Sequence, residues 1–497
     1  PYILDKSLDL NAKGVIMRAY DQFRLKTCID FKQWDAEEYY ITVQKLFGCY
    51  SYIGRVFANG QVLSIGSGCD YIATVEHEFL HALGFYHEQS RYDRDDYVTI
   101  VWDNILKGKE HNFDKVGSDQ STTHGTPYDY MSVMHYDNNA FTNGNGSTII
   151  TKDPKFEDVI GQRMEMSYYD VQELNNLYKC SKCFKISIIC FDGSFPSVKS
   201  SENFIFSTCI VIGGEIGYFM HVSTATGQEG DTAQLETQRM TPQRDCHIQC
   251  LQFYYYNSGN ESDTLNIWIR EFENELDLTG TRRLMGQITG KATVVFEARK
   301  GAGRSTGGFS VDDINLYETE CPHLSLQIDD FQRVLNTSAL RSRIYSSRQY
   351  SSEGYAYRFA VKLSETYFGL SVQFLSGDYD DQLEWPSLRK QITFEMLDQN
   401  PTIQQQMAKR WSFTTNEYQV YSGKSLWDNP RVAGNQVFLD QNNLPVYGGL
   451  LYGLGNFATL EEMKTRVFLK GGSAIFTLTF KVRICILQGK KYIQCAM

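Results

Sequence analysis

His77-Glu78-Phe79-Leu80-His81-Ala82-Leu83-Gly84-Phe85-Tyr86-His87 gathers three imidazoles and a carboxylate in one short run. His77 and His81 are four residues apart, so on a helix both side chains leave one face and one tetrahedral metal can take a nitrogen from each. Gly84 can end that helix and turn the chain so that His87 returns as a third ligand. Three neutral imidazoles leave a bound zinc dicationic, with a position open to water. Glu78 can reach that water without being a ligand, take its proton during attack on a peptide carbonyl, and pass it to the leaving amine. The spacing therefore predicts one Zn2+ per chain, with His77, His81 and His87 as ligands and Glu78 as the catalytic acid-base. A helix of satisfied, metal-free histidines is the bland alternative. Only nine histidines occur in 497 residues, so three at these offsets are a rare coincidence.

This chemistry needs a helix beneath the first two ligands. Ile72 to Leu83 reads as one, with Val75, Phe79, Leu80 and Leu83 as its apolar stripe. Leu10 to Lys26 is a second, carrying Val15, Ile16, Ala19, Tyr20 and Phe23 at helical spacing, and Tyr168 to Tyr178 is a third. After Cys180 the texture changes to short β-branched and aromatic runs such as Gln252–Tyr256, Leu265–Arg270 and Ala292–Phe296, separated by turn residues. Cys321-Pro322 reads as a boundary, and Tyr357–Leu363 and Ala474–Phe480 resume the alternation of a second β-sandwich. At about 150 residues per domain, the length suits about three domains.

Composition narrows the partners. Lys plus Arg number 48 against 59 Asp plus Glu, a net charge of −11, which argues against nucleic acid as a ligand. No apolar run is long enough to span a bilayer, and the start at Pro1 has no signal-peptide character, so the chain reads as a mature, processed polypeptide. Twelve spread-out cysteines point to disulfides and an oxidising compartment. Glycosylation triplets at Asn145, Asn260 and Asn336 agree with an extracellular protein.

The run HEFLHALGFYHEQSRYDRDDYV, residues 77 to 98, resembles the extended zinc signature of the astacin family of metzincin endopeptidases, and Ser132-Val133-Met134-His135-Tyr136 is similar to that family's Met-turn. The resemblance implies that Met134 forms the apolar floor of the zinc site. It makes Tyr136 a switchable fifth ligand that swings away to stabilise the transition state. It also implies that Glu88 meets the mature N-terminus freed by propeptide removal, that Cys28 pairs with Cys180, and that Cys49 pairs with Cys69.

Cys250–Phe253, Asn257–Asp263 and Gly308–Leu316 resemble a MAM domain, and Asp380–Pro386 and Leu397–Pro401 resemble a TRAF-like (MATH) domain. Protease, MAM and TRAF-like modules in that order resemble the meprin branch of the family, with wording nearest its beta type. The expected fold is multidomain α+β: an astacin-like zinc protease domain at 1–180, a MAM-like antiparallel β-sandwich at 181–321, a TRAF-like one at 322–480 and a tail at 481–497. The branch implies a disulfide-linked homodimer through the MAM-like domain, with Cys209 as the linking cysteine. An intradomain bridge from Cys209 to Cys246 is the competing reading. Cys183, Cys190, Cys250 and Cys321 are expected to pair among themselves in one of three connectivities. A membrane tether is implied by the branch alone, since no residues here supply it.

Beta-type meprins favour acidic residues beside the scissile bond. The resemblance puts Arg163, in Ile160-Gly161-Gln162-Arg163, at the pocket just after that bond, where a bidentate contact would select a carboxylate. Lys109 is a second candidate, with an ordinary solvated lysine as its alternative. The leading expectation is thus an extracellular or cell-surface zinc endopeptidase acting on proteins and peptides. The alternatives are an astacin protease without acidic preference and an adhesion or scaffold ectodomain whose protease is vestigial.

Overall fold

The fold comes from a computed structural model, which describes residues 1–180, 197–200, 206–210, 218–240, 249–274, 277, 279–284, 291–317, 319–339 and 341–481. The chain divides into two compact units, one of Pro1–Lys179 with Pro322–Asn400 and Gln404–Met497, the other of Cys180–Cys321 with Pro401–Ile403. The catalytic region and the TRAF-like region thus share a unit, which the sequence did not suggest.

In the first unit, strand β1 (Tyr2–Leu4) leads to helix α1 (Leu10–Lys26). Asp9 caps α1 by accepting the Ala12 N–H at 2.8 Å, and Val15, Ile16, Ala19, Tyr20 and Phe23 are its buried stripe, as the spacing predicts. Strands β2 (Ile41–Gln44), β3 (Cys49–Ser51) and β4 (Gln61–Ile65) complete a sheet of order β1-β2-β4-β3, parallel except for the antiparallel edge strand β3. Helix α2 (Ile72–Ala82) follows, one residue shorter than expected because Leu83 is its C-cap. The α1 and α2 faces meet through Tyr20 and Phe79, whose rings are 5.1 Å apart and nearly perpendicular. Helix α3 (Tyr168–Leu177) begins with a capping box in which Ser167 and Asp170 satisfy each other's backbone N–H groups.

The C-terminal part of this unit is the expected sandwich. One antiparallel sheet joins Leu324–Ile328, Ala474–Lys481, Gln391–Met396 and Lys409–Thr414; the other joins Arg343–Tyr345, Ala356–Leu363, Tyr367–Phe374 and Tyr452–Thr459. Phe359, Phe368, Phe394, Phe476 and Trp427 fill the space between them.

The second unit is also a two-sheet sandwich. Its inner faces bring together Leu235, Val294, Phe296, Phe309 and Val311. Cys250 is bonded to Cys321, which resolves that part of the cysteine pairing. Cys183, Cys190 and Cys246 lie outside the described residues, as does the expected tail after Lys481. Cys209 lies on Phe206–Ile210, an edge strand of its sheet. No helix among the described residues is long and apolar enough to cross a membrane.

Candidate active site

Helix α2 presents His77 and His81 from one buried face, and Gly84, at φ +110°, makes the left-handed turn that carries the chain back to His87. The Nδ1 of His77 lies 2.8 Å from Val133 O, and that of His81 lies 2.8 Å from Phe85 O. A carbonyl can only accept, so both Nδ1 atoms carry the proton and both Nε2 atoms present lone pairs. The Nε2 of His87 is 3.2 Å from that of His81 and 3.3 Å from that of His77. Three nitrogens with at most one proton between them converge on a single point. Two ligands about 2.05 Å from a tetrahedral zinc stand about 3.3 Å apart, so the donor set fits that ion in both type and spacing. Burial lowers the His77 pKa to about 3, which keeps the ring neutral as a ligand must be.

Glu78 is buried beside the first ligand, and its Oε2 has no hydrogen-bond partner among the described residues. Burial raises its pKa to about 8, while the Arg163 charge pulls it down. The Tyr136 ring lies 4.4 Å from that of His87, with Phe113 and Phe141 on its other sides. Burial raises the Tyr136 hydroxyl to about 12, with Arg163 again opposing. Nη1 of Arg163 donates to Gln162 O at 2.8 Å and to Val133 O and His135 O at 3.3 Å each, which fixes the guanidinium to the Met-turn on both sides of Met134. Met134 is buried, and its carbonyl accepts the Glu88 N–H at 3.1 Å.

Glu88 is buried, and its carboxylate accepts the Asp129 N–H at 2.7 Å and an Arg91 N–H at 3.3 Å; the Pro1 amine lies beside Glu37 and Lys32. The pairing of β1 with β2, Tyr2 opposite Ile41, holds Pro1 there. Glu88 also lines a cavity of about 240 Å³ with Arg91, His124 and Glu173. Lys109 is exposed at the start of a short helix, Glu110–Phe113, and the residue of that helix that meets Tyr136 is Phe113, at 5.9 Å between rings.

Cys49 and Cys69 are bonded to each other, and Cys28 and Cys180 are each disulfide-bonded. Asn145 and Asn336 are exposed, whereas the Asn260 amide donates to Arg304 O at 3.0 Å. Sequence reasoning passed over three supports of the site. Gln89 Oε1 accepts the Tyr136 N–H, Asp170 accepts the Val133 N–H and the Ser132 hydroxyl, and His135 Nε2 lies 2.7 Å from the Tyr128 hydroxyl. Gln89 stands inside the recognised signature and could have been suspected; Asp170 had no local signal.

Residues 1–179 match the Astacin family (Peptidase family M12A), 206–322 the MAM domain (meprin/A5/mu) and 323–480 the MATH domain. The meprin A subunit beta of Rattus norvegicus is 45% identical over 96% of this chain and 72% of its own length, and that of Homo sapiens is 44% identical over 96% and 73%. The meprin A subunit alpha of Rattus norvegicus is 36% identical over 97% of this chain and 69% of its own. The chain belongs to the astacin family and is a zinc metalloendopeptidase. Within that family it carries the protease, MAM and MATH succession, and its similarity to the meprin A subunits runs along 96–97% of its own length.

Proposed function

We propose that this protease acts outside the cell with Glu78 as its proton shuttle, and that it favours substrates with an acidic residue just after the scissile bond. The observation that carries the first part is the unpartnered, buried Glu78 Oε2 next to three converging imidazoles. His77, His81 and His87 would hold the zinc, which would supply Lewis acidity at the site. Glu78 accepts the proton of the attacking water at Oε2 and returns it to the leaving amine nitrogen. The Tyr136 hydroxyl, kept protonated by its raised pKa, donates a hydrogen bond to the developing oxyanion. Arg163, anchored by Nη1, offers the rest of its fork to a substrate carboxylate.

The Cys49–Cys69 and Cys250–Cys321 bonds favour an oxidising, extracellular setting. Cys209, on an edge strand, is the residue through which two chains form a disulfide-linked homodimer. Zinc removal tests the catalytic reading. Chelation should abolish cleavage of a denatured protein and added zinc should restore it; persistent cleavage by metal-free enzyme contradicts it. Cleavage-site profiling of wild type and Arg163→Ala tests the acidic preference.

A further inference from the structure

Glu165 is buried between the catalytic region and the TRAF-like sandwich of the first unit, with 1% of its side chain exposed. Its Oε2 accepts from Lys26 Nζ of α1 at 2.9 Å and from the Ala408 N–H at 3.2 Å; its Oε1 pairs with Arg410 on the sandwich strand Lys409–Thr414. Lys26 Nζ also donates to Gln406 O at 2.7 Å, and Arg410 Nη2 to Glu395 Oε1 at 2.6 Å. A carboxylate this dry is tolerable only with such compensation, and two of its three partners, the Ala408 N–H and Arg410, come from the TRAF-like region.

The residues around Glu165 form a strap against the active site. Gly161, at φ +78°, lies so close to Asp137 that a Cβ would stand 2.4 Å from the Asp137 Cβ. Gln162 Nε2 donates to Met131 O and Glu165 O, both at 2.8 Å. Arg163 reaches the carbonyls on either side of Met134, Met164 packs against the TRAF-like core, and the Met166 N–H donates at 2.7 Å to Glu76, the neighbour of His77. The strap therefore has one face on the Met-turn and the other on the sandwich.

We propose that Glu165, clamped by Lys26 and Arg410, is a positioning residue for Arg163, so that the TRAF-like sandwich tunes the acidic selectivity of the cleft. The inference rests on the reading of Arg163 as the acid-selecting cation. Without Arg410 the strap loses, among the described residues, its only charged tie from the sandwich and keeps the Ala408 N–H and the Met164 packing. The 3.3 Å bonds from Arg163 to Val133 O and His135 O are the longest of its ties and the first to lengthen. A peptide with no acidic residue after the scissile bond offers Arg163 no carboxylate, so its KM does not depend on where the free arm of the guanidinium points.

The test measures kcat and KM separately for two matched peptides, with Asp or Ala after the scissile bond, on the full chain as wild type, Arg163→Ala, Arg410→Met and Arg410→Lys. Zinc content and thermal unfolding establish that each variant is folded, and Arg410→Gln replaces Arg410→Met if the latter does not fold. Arg410→Met should raise KM for the Asp peptide about tenfold and leave the Ala peptide within about twofold, with Arg410→Lys recovering most of the loss. If Arg163→Ala keeps the wild-type preference, the reading of Arg163 fails. If Arg163→Ala removes the preference while Arg410→Met retains it, or if Arg410→Met weakens both peptides equally, the positioning role is overturned.

Discussion

Gln89 Oε1 accepts the backbone N–H of Tyr136 at 3.0 Å. Gln89 is fully buried two residues after His87, so the turn that delivers the third ligand also holds the loop that presents the tyrosine. Replacing Gln89 with Leu frees that N–H while leaving the imidazoles in place. The expected result is unchanged zinc content, little change in KM and a kcat lowered about tenfold, since Tyr136 acts on the transition state. Steady-state kinetics beside metal analysis checks this, and an unaltered kcat would separate Gln89 from the tyrosine's placement.

Asp170 of α3 accepts the N–H groups of Val133 and Ser167, each at 2.8 Å, and the Ser132 hydroxyl. Asp170→Asn can keep one oxygen toward the two N–H groups, but its NH2 then faces Ser132, whose buried hydroxyl loses its acceptor while the other bonds lose their charge assistance. A loss of about 2–3 kcal/mol in unfolding free energy is expected by denaturant titration. Because His77 Nδ1 bonds Val133 O, weaker zinc retention should accompany it.

Four carboxylates act with Arg91: Asp93, which it grips with two hydrogen bonds, and the buried Glu88, Asp129 and Glu173. Burial pushes Glu173 up to about 7, Asp129 up to about 6 and Glu88 well above the usual range, with Arg91 opposing in each case. A folded state that keeps a proton the unfolded chain has lost is destabilised as pH rises. Stability should therefore fall as pH climbs from the ordinary 4.5 of Glu173 to about 7. The Glu173 contribution is at most about 3 kcal/mol. Thermal unfolding from pH 5 to 8 should show a downward slope that Glu173→Gln flattens. Equal slopes in both proteins would remove Glu173 from the effect.

The Cys49–Cys69 bond closes a loop with a sequence separation of 20. Replacing both cysteines with Ser should cost about 3 kcal/mol through the freed unfolded chain. A lowered thermal midpoint in scanning calorimetry is the expected outcome, and an unchanged midpoint would mean the loop is held by other contacts.

Local patterns were legible in advance. The stripe of α1, the four-residue step from His77 to His81 and the turn at Gly84 are consequences of helix geometry that any reader of the chain can apply. The sandwich strands followed from alternation. What could not be read are partners brought together by the fold. Lys26 and Glu165 are 139 positions apart, and Arg410 joins them from another domain. Glu88 meets the Asp129 N–H, 41 positions away, a contact that no local pattern announces. The choice among the cysteine pairings needed the sandwich that brings Cys250 to Cys321.

The central claim is that Glu78 moves the proton while the three histidines hold the metal. Glu78→Gln keeps the size and burial of the side chain but cannot accept the proton. Zinc content and turnover of a denatured protein, measured on one preparation of this variant, test the claim most directly. The account predicts zinc bound as in wild type and turnover lowered by about a hundredfold or more. Turnover near the wild-type rate with zinc in place would contradict it.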